Sequence, residues 1–167
     1  MKTRVPALIE NMTKWGTCNH IVTSNDPIDF KKLPDYFDVI VVDAPCSGSG
    51  LFRKQPDIIR NWNNDLVRHC KLRQERILDD VLDSLKPGGF LIYATCSFST
   101  EENEDIVDYL IQNHDMIGLP LELNPAWNIC ETSTTYGGKG YRFFPNLTQS
   151  EGFFISILKK RKEEDTL

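Results

Sequence analysis

The stretch Phe37-Asp38-Val39-Ile40-Val41-Val42-Asp43-Ala44-Pro45-Cys46-Ser47-Gly48-Ser49-Gly50 decides the fold. Its first half is an almost continuous apolar run, β-branched at four positions, which is typical of a strand buried on both faces of a parallel sheet. Its second half is rich in proline, glycine and serine and therefore predicts a loop. We expect this loop to leave the carboxyl end of a strand, where open α/β sheets bind their ligands.

A second apolar run, residues 90–95, also ends in a short polar loop, Cys96-Ser97-Phe98-Ser99. Between the two runs, an apolar stripe predicts a long helix from about residue 64 to residue 85. We expect Lys86-Pro87-Gly88-Gly89 to stop this helix, because proline cannot continue a helix and glycine allows the chain to reverse. A helix that connects two buried strands indicates that the strands are neighbours, so the loops after both of them are predicted to face one crevice.

The flanking segments complete an open α/β sheet with a C-terminal antiparallel hairpin. The predicted elements are a helix over residues 5–15, a strand over 20–23, a helix after the capping box Ser99-Thr100-Glu101-Glu102, irregular chain over 115–140, and paired strands over 141–145 and 152–158. Residues 159–167 are predicted to be a frayed, charged tail.

Composition excludes several functional classes. The 167 residues suit one domain, and the net charge of −5 means that any nucleic-acid site must be a local basic patch. No apolar run is long enough to span a bilayer, and the first residues lack the apolar stretch of a secretory signal. Five cysteines without a CxxC pair favour neither a zinc site nor a disulfide framework, so we expect no metal and a reducing cytoplasmic setting.

Two cysteines stand in the predicted loops, Cys46 after the first strand and Cys96 after the second. A free thiol is only a few per cent ionised at neutral pH, and the start of a helix after Cys96 would favour its thiolate. The alternative is that each cysteine is a small buried residue at the end of a strand. Position alone leaves both interpretations open.

Two aspartates are candidates for polar recognition. Asp43 ends the first apolar strand, where burial without a partner would be costly, so we expect it to point into the crevice and accept from an amine or a base edge. Asp26 follows the predicted strand over 20–23, and a turn or cap residue is an equally good interpretation of it.

Basic residues are concentrated in residues 51–76, which contain seven basic and three acidic side chains. We select Arg53, Lys54 and Arg60 from this segment as candidate contacts to a phosphate backbone. For any one of these side chains, a solvated helix face is the competing interpretation.

At these residues the sequence closely resembles the RNA (cytosine-5) methyltransferases of the Sun/nucleolar-protein family, especially its bacterial ribosomal-RNA branch. Two cysteine loops at this spacing make the resemblance specific, and it covers nearly the whole chain. The matching blocks are Asp43 to Lys54, Gln74 with Ile77-Leu78, Lys86-Pro87-Gly88-Gly89, Tyr93-Ala94-Thr95-Cys96-Ser97, Glu102-Asn103-Glu104, Tyr141-Arg142-Phe143-Phe144-Pro145 and Glu151-Gly152-Phe153-Phe154.

The resemblance implies S-adenosylmethionine as methyl donor and a cytosine in RNA, expected to be ribosomal, as acceptor. It makes Cys96 the nucleophile and Cys46 the cysteine that helps release the methylated product. It places Asp43 beside the methionine end of the donor and the target base, assigns Pro45 to the donor site, and brings Asp26 to the adenosine part.

The resemblance is incomplete at the start of the chain. The family pattern opens with a strand, a glycine-rich loop and a second strand, and this sequence begins after them. The resemblance therefore implies that residues 1–158 are a partial catalytic domain with a Rossmann-like sheet that lacks its first two strands. We expect weak or absent binding of the methyl donor by the chain alone. We also expect self-association through an exposed sheet edge. Asn146 also stands where the family usually has histidine.

Three hypotheses for function follow. The first is the catalytic region of an RNA cytosine methyltransferase. The second is a truncated, non-catalytic remnant that binds RNA or a partner. The third is a relative of DNA cytosine methyltransferases, in which a Pro-Cys such as Pro45-Cys46 would supply the nucleophile, although the loop Thr95-Cys96-Ser97 disfavours it.

Overall fold

A computed structural model describes residues 4–162, which form an open mixed sheet with helices packed against it. The predicted α/β class and open sheet are thereby confirmed. The helices are α1 (Val5–Trp15), α2 (Asn64–Val81) and α3 (Glu104–Asn113); the strands are β1 (Phe37–Asp43), β2 (Leu85–Thr95), β3 (Met116–Gly118), β4 (Cys130–Ser133), β5 (Lys139–Phe143) and β6 (Phe153–Lys160).

The sheet order is β1-β2-β6-β5-β4, and β3 also pairs with β6. β1 and β2 are parallel, with Val39 beside Phe90 and Asp43 beside Ala94, and α2 lies between them in the chain. Parallel strands end at the same edge of a sheet, so the loops after β1 and β2 emerge together, as predicted. β5 and β6 pair antiparallel, which confirms the C-terminal hairpin.

The buried core lies between the sheet and helices α2 and α3. Apolar side chains of these elements fill it and exclude water, which is the main stabilising contribution expected for a domain of this size. Its members are Ala44, Leu78, Leu82, Leu85, Leu91, Tyr93, Ile106, Val107, Leu110, Met116, Phe154 and Leu158.

The prediction that β1 is buried on both faces is wrong. Ile40 and Val42 pack against the core, but Val39 and Val41 are 49% and 64% exposed. Among the described residues β1 pairs only with β2, and a cavity of about 390 Å³ lies along it, lined in part by Phe30. The apolar run is therefore covered on one face only.

Other corrections concern the outer elements. Residues 20–23 form no strand, and Ile21 is 90% exposed, because no neighbouring strand among the described residues pairs with this segment. Residues 115–140 include the short strands β3 and β4. β6 continues through Lys160, so the predicted frayed tail begins inside a strand; residues 163–167 of that tail lie outside the described residues.

Helix α2 ends before the position predicted for it. Leu82–Ser84 forms a 3-10 turn after Val81, and β2 begins at Leu85. Lys160 stabilises this early end, since its Nζ donates to the carbonyls of Leu82 and Leu85 at 3.2 and 2.6 Å. Lys86-Pro87-Gly88-Gly89 instead coincides with an irregularity in the β1–β2 register, where Gly88 adopts a φ of 77°.

No helix among residues 4–162 is long and apolar enough to cross a membrane.

Candidate active site

The loops after β1 and β2 are joined by backbone hydrogen bonds. Gly50 N–H donates to the Cys96 carbonyl at 2.8 Å, and Gly152 N–H donates to the Gly50 carbonyl at 3.0 Å. A Cβ at position 50 would lie 2.7 Å from the Cys96 oxygen and 2.4 Å from the Gly152 oxygen. Glycine is therefore required where the two loops meet β6.

The two loops bring Cys46 and Cys96 into contact. Their Sγ atoms are 3.1 Å apart, although the residues are separated by fifty positions in the sequence. Both cysteines are half-buried and neither forms a disulfide. The two cysteine loops thus meet as predicted, and the two sulfurs are close enough to act on one small ligand.

The two thiols have opposite acidities. The hydrogen bond from Cys46 is the main effect that lowers the pKa of Cys96, to about 7, against an opposing effect of burial. The same hydrogen bond, together with burial, raises the pKa of Cys46 far above its usual range. Cys96 is thus the more acidic of the two thiols, and its thiolate is stabilised by the hydrogen bond with Cys46.

A lowered pKa of Cys96 is one of the two interpretations that the sequence left open, but its cause differs from the helix start considered there. α3 begins at Glu104, and a 3-10 turn, Thr100–Glu102, lies between it and Cys96. The capping-box prediction is also wrong: Ser99 makes no side-chain cap bond, and α3 follows Asn103. The donor to the Cys96 thiolate is the second cysteine rather than a helix terminus.

Glu102 connects the two cysteine loops. Its carboxylate accepts from the Ser47 N–H at 2.8 Å, the Ser47 hydroxyl at 2.5 Å, the Ser97 hydroxyl at 2.6 Å and Gln74 Nε2 at 3.1 Å. Glu102, Gln74 and Ser97 are almost completely buried. Ser47 adjoins Cys46 and Ser97 adjoins Cys96, so one carboxylate fixes both loops.

Neighbouring groups complete this support. Gln74 Nε2 also donates to the Pro45 carbonyl at 3.0 Å, and Trp62 Nε1 donates to the Ser47 hydroxyl at 3.1 Å. Sequence reasoning missed Glu102 and Gln74 as parts of the site. Both stand in the blocks that carry the family resemblance, and membership of those blocks was the sequence evidence that could have identified them.

The three residues predicted to hold the methyl donor have different environments. Asp43 is exposed at the end of β1 and borders a cavity of about 660 Å³, which α1 and residues 23–25 also line. Pro45 is half-buried beside Cys46. Asp26 caps the 3-10 helix Pro27–Lys32 by accepting from the Ile28 N–H at 3.4 Å, which is the turn role that the sequence left open.

The three basic candidates are all exposed, with different partners. Arg53 donates to the Ser150 carbonyl at 2.9 Å and forms an ion pair with Glu151. Arg60 pairs with Asp57 three residues away. Lys54 forms no ion pair among residues 4–162.

Comparisons with known proteins show the family to which the chain belongs. The family model described as 16S rRNA methyltransferase RsmB/F matches residues 1–159. A relative from Erwinia tasmaniensis, named Ribosomal RNA small subunit methyltransferase F, is 34% identical over 160 residues, which cover 95% of this chain and 33% of the relative. The chain spans about a third of the length of the curated relatives it matches.

Two solved structures share the fold. The crystal structure of PH0851 matches with a TM-score of 0.84 and 25% identity over 96% of this chain and 35% of that one. The structure of NSun6 from Pyrococcus horikoshii with SFG matches with a TM-score of 0.82 and 27% identity over 98% of this chain and 40% of that one. These matches confirm the predicted Rossmann-like sheet.

We predict that Cys96 is alkylated fastest above neutral pH. Because the thiolate is the nucleophile, the rate should rise through an apparent pKa of about 7 in the native chain. Cys46→Ala removes the S–H donor and should move this midpoint upward. Peptide-resolved mass spectrometry with iodoacetamide measures the profile, with exposed Cys18 as the internal reference. An unchanged midpoint in Cys46→Ala would contradict the assigned cause.

Proposed function

Because the chain belongs to the RsmB/F family of 16S rRNA methyltransferases, we propose that it carries S-adenosylmethionine-dependent methylation of cytosine C5 in ribosomal RNA through a covalent cysteine–C6 intermediate. The family assignment confirms the resemblance drawn from the motifs. The observation that carries the proposal is the contact between a thiolate, Cys96, and a thiol, Cys46.

Cys96 is the proposed nucleophile. Cytosine C5 reacts poorly with electrophiles, and addition of the Cys96 thiolate to C6 makes C5 an enamine-like, electron-rich carbon. A midpoint near neutral pH gives Cys96 a substantial thiolate fraction where most thiols remain protonated. The raised pKa of Cys46 favours this assignment over the DNA-type alternative, in which Cys46 would attack.

Cys46 is proposed to assist elimination after C5 carries the methyl group. The C5 proton must then leave, the C6–S bond must break, and its electron pair must return to the Cys96 sulfur. A bonded Cys96 sulfur is uncharged, so the hydrogen bond and the charge that raise the pKa of Cys46 weaken in the adduct. In the adduct Cys46 therefore loses its proton to solvent more readily, and its thiolate is the form that can accept the C5 proton.

Asp43 is proposed to serve both the target base and the donor. A proton or hydrogen bond from its carboxyl group to cytosine N3 would stabilise the negative charge that develops when Cys96 adds. The N3 role requires the protonated form of Asp43, whereas its ionised form, exposed beside an open cavity, fits a cationic, amine-bearing donor. Asp43 and Pro45 would hold its methionine end and Asp26 its adenosine part. When bound, S-adenosylmethionine supplies an electrophilic methyl group.

RNA access limits the form of the substrate. A base inside a duplex cannot reach two half-buried thiols, so the target cytosine must be single-stranded or flipped out. Arg53, Lys54 and Arg60 are proposed to hold the phosphates that flank it. Lys54 and Arg60 are exposed side chains near the loop after β1, and Arg53 ties that loop to the segment before β6.

The two cysteines should give different products when replaced. We predict that Cys46→Ala accumulates a covalent RNA–protein adduct, because release is blocked after Cys96 has attacked. Cys96→Ala should form neither adduct nor methylated RNA. Each substitution is made in a full-length context, and the protein is incubated with S-adenosylmethionine and unmodified small-subunit rRNA and resolved on a denaturing gel, with Cys18→Ala at an exposed cysteine as the control.

The reverse pattern would support the DNA-type assignment, with Cys46 as nucleophile. If neither variant forms an adduct and calorimetry shows no heat with millimolar S-adenosylmethionine, the remnant hypothesis replaces the catalytic one for the isolated chain.

RNA binding should depend on the exposed basic side chains. We predict that Lys54→Ala and Arg60→Ala each weaken binding of a single-stranded, cytosine-containing RNA and lower the salt slope by about 1, because each removes one phosphate contact. Fluorescence anisotropy at several salt concentrations measures both quantities. Lys32→Ala is the control, because Lys32 is an exposed lysine that forms a local ion pair with Asp29. Equal losses in all three variants would indicate a bulk charge effect.

Self-association through β1 stays a prediction. An unpaired apolar edge strand is a template for a strand from a second copy. Sedimentation velocity should therefore show a concentration-dependent dimer, and Val41→Lys should abolish it because charge on an edge strand opposes pairing. Leu72→Lys on the exposed face of α2 is the control. A monomer at every concentration would reject the prediction.

A further inference from the structure

Glu102 is a buried carboxylate that touches neither thiol but binds both of the loops that carry them. Its side chain accepts four hydrogen bonds, two from Ser47, one from Ser97 and one from Gln74. A buried carboxylate is costly unless it is fully hydrogen-bonded, and removing it would strand these donors. The loops therefore depend on this one group for their relative position.

The backbone of Glu102 is itself held in place. The Tyr93 hydroxyl donates to the Glu102 carbonyl at 2.7 Å, and the next residue, Asn103, accepts from Thr95 at 2.6 Å and donates to the Ser97 carbonyl at 2.8 Å. These partners belong to β2 and the loop after it. Glu102 thus enters the space between the loops from a rigid support.

We propose that Glu102 is a positioning residue that holds the Cys46 S–H against the Cys96 sulfur. The inference rests on the proposed function for its catalytic meaning, but the juxtaposition of the thiols can be measured without RNA or methyl donor. Ser47 and Ser97 transmit the effect, since each immediately follows one of the two cysteines.

The charge of Glu102 and its positioning of Cys46 have opposite effects on the pKa of Cys96. The negative charge of Glu102 opposes ionisation of Cys96, whereas the hydrogen bond from Cys46 favours it more strongly. If Glu102 acted only through its charge, its removal would lower the pKa of Cys96. If it holds Cys46 in place, removal of its side chain would raise that pKa. The direction of the change distinguishes the two roles.

Two substitutions separate charge from connection. Glu102→Gln keeps the size of the side chain, and the serine hydroxyls can rotate to accept from its amide group, so the link between the loops is retained without the charge. Glu102→Ala removes the link and the charge together. Glu101→Ala, at the exposed neighbouring position, is the matched control.

The experiment first measures whether the thiols remain adjacent. Phenylarsine oxide condenses with two neighbouring thiols, forming two As–S bonds and releasing one water, and it binds an isolated thiol far more weakly. We expect the native chain, Glu101→Ala and Glu102→Gln to bridge Cys46 and Cys96, and Glu102→Ala to lose about tenfold or more in affinity because bivalent capture is lost. Intact mass and peptide mapping identify the bridged cysteines.

The same variants are then followed by the pH profile of Cys96 alkylation. We expect the midpoint to rise in Glu102→Ala and not to rise in Glu102→Gln. Unchanged arsenical affinity in Glu102→Ala, or a lowered midpoint, would overturn the proposal. If Glu102→Ala does not unfold cooperatively, the double variant Ser47→Ala with Ser97→Ala replaces it. Weaker arsenical binding and a raised alkylation midpoint are then expected in the double variant. Unchanged affinity or a lowered midpoint would again overturn the proposal.

The result is independent of methylation. If the thiols separate in Glu102→Ala but RNA stays unmodified in a full-length context, the positioning role is supported and the proposed function is refuted. If RNA is methylated but the thiols stay together in Glu102→Ala, the proposed function is supported and the positioning role is refuted.

Discussion

The parallel pairing of β1 with β2 is the constraint on which the site depends. It brings the ends of two strands to one edge of the sheet, so the two cysteines meet although fifty residues separate them. Backbone bonds through Gly50 then fix the loops to each other and to the segment before β6. An antiparallel arrangement of β1 and β2 would place their loops at opposite edges and leave two unrelated thiols.

Proximity alone would give two equivalent thiols, and the local environment makes them different. A single proton shared between two adjacent sulfurs favours one thiolate and one thiol, because two thiolates in contact would repel. The pKa of Cys96 is lowered and that of Cys46 is raised, so ionisation of the pair begins at Cys96. Attack requires a thiolate and later elimination requires a base, so this asymmetry matches the order of the proposed reaction. Each cysteine sets the state of the other.

The sequence predicted the parts of the site that follow from strand periodicity. The run over residues 37–43, the helix after it and the second apolar strand were enough to place both cysteine loops at one edge. Periodicity could not identify Glu102, because a Ser-x-x-Glu pattern also describes a helix cap, and the choice between cap and buried network depends on contacts with Ser47, distant in sequence. The exposure of Val41 was equally hidden, since it depends on which elements pack on the second face of β1.

Burying the polar network of Glu102 costs more desolvation free energy than an apolar contact would, and the network restrains the two loops in return. Apolar side chains of similar volume would pack the space between the loops with less desolvation, but they would tolerate small shifts of one loop past the other. Hydrogen bonds from Ser47, Ser97 and Gln74 to one carboxylate are directional, and a shift in either loop breaks at least one of them. The hydrogen bond between the two sulfurs joins the same loops, so these directional restraints act on the position of both cysteines.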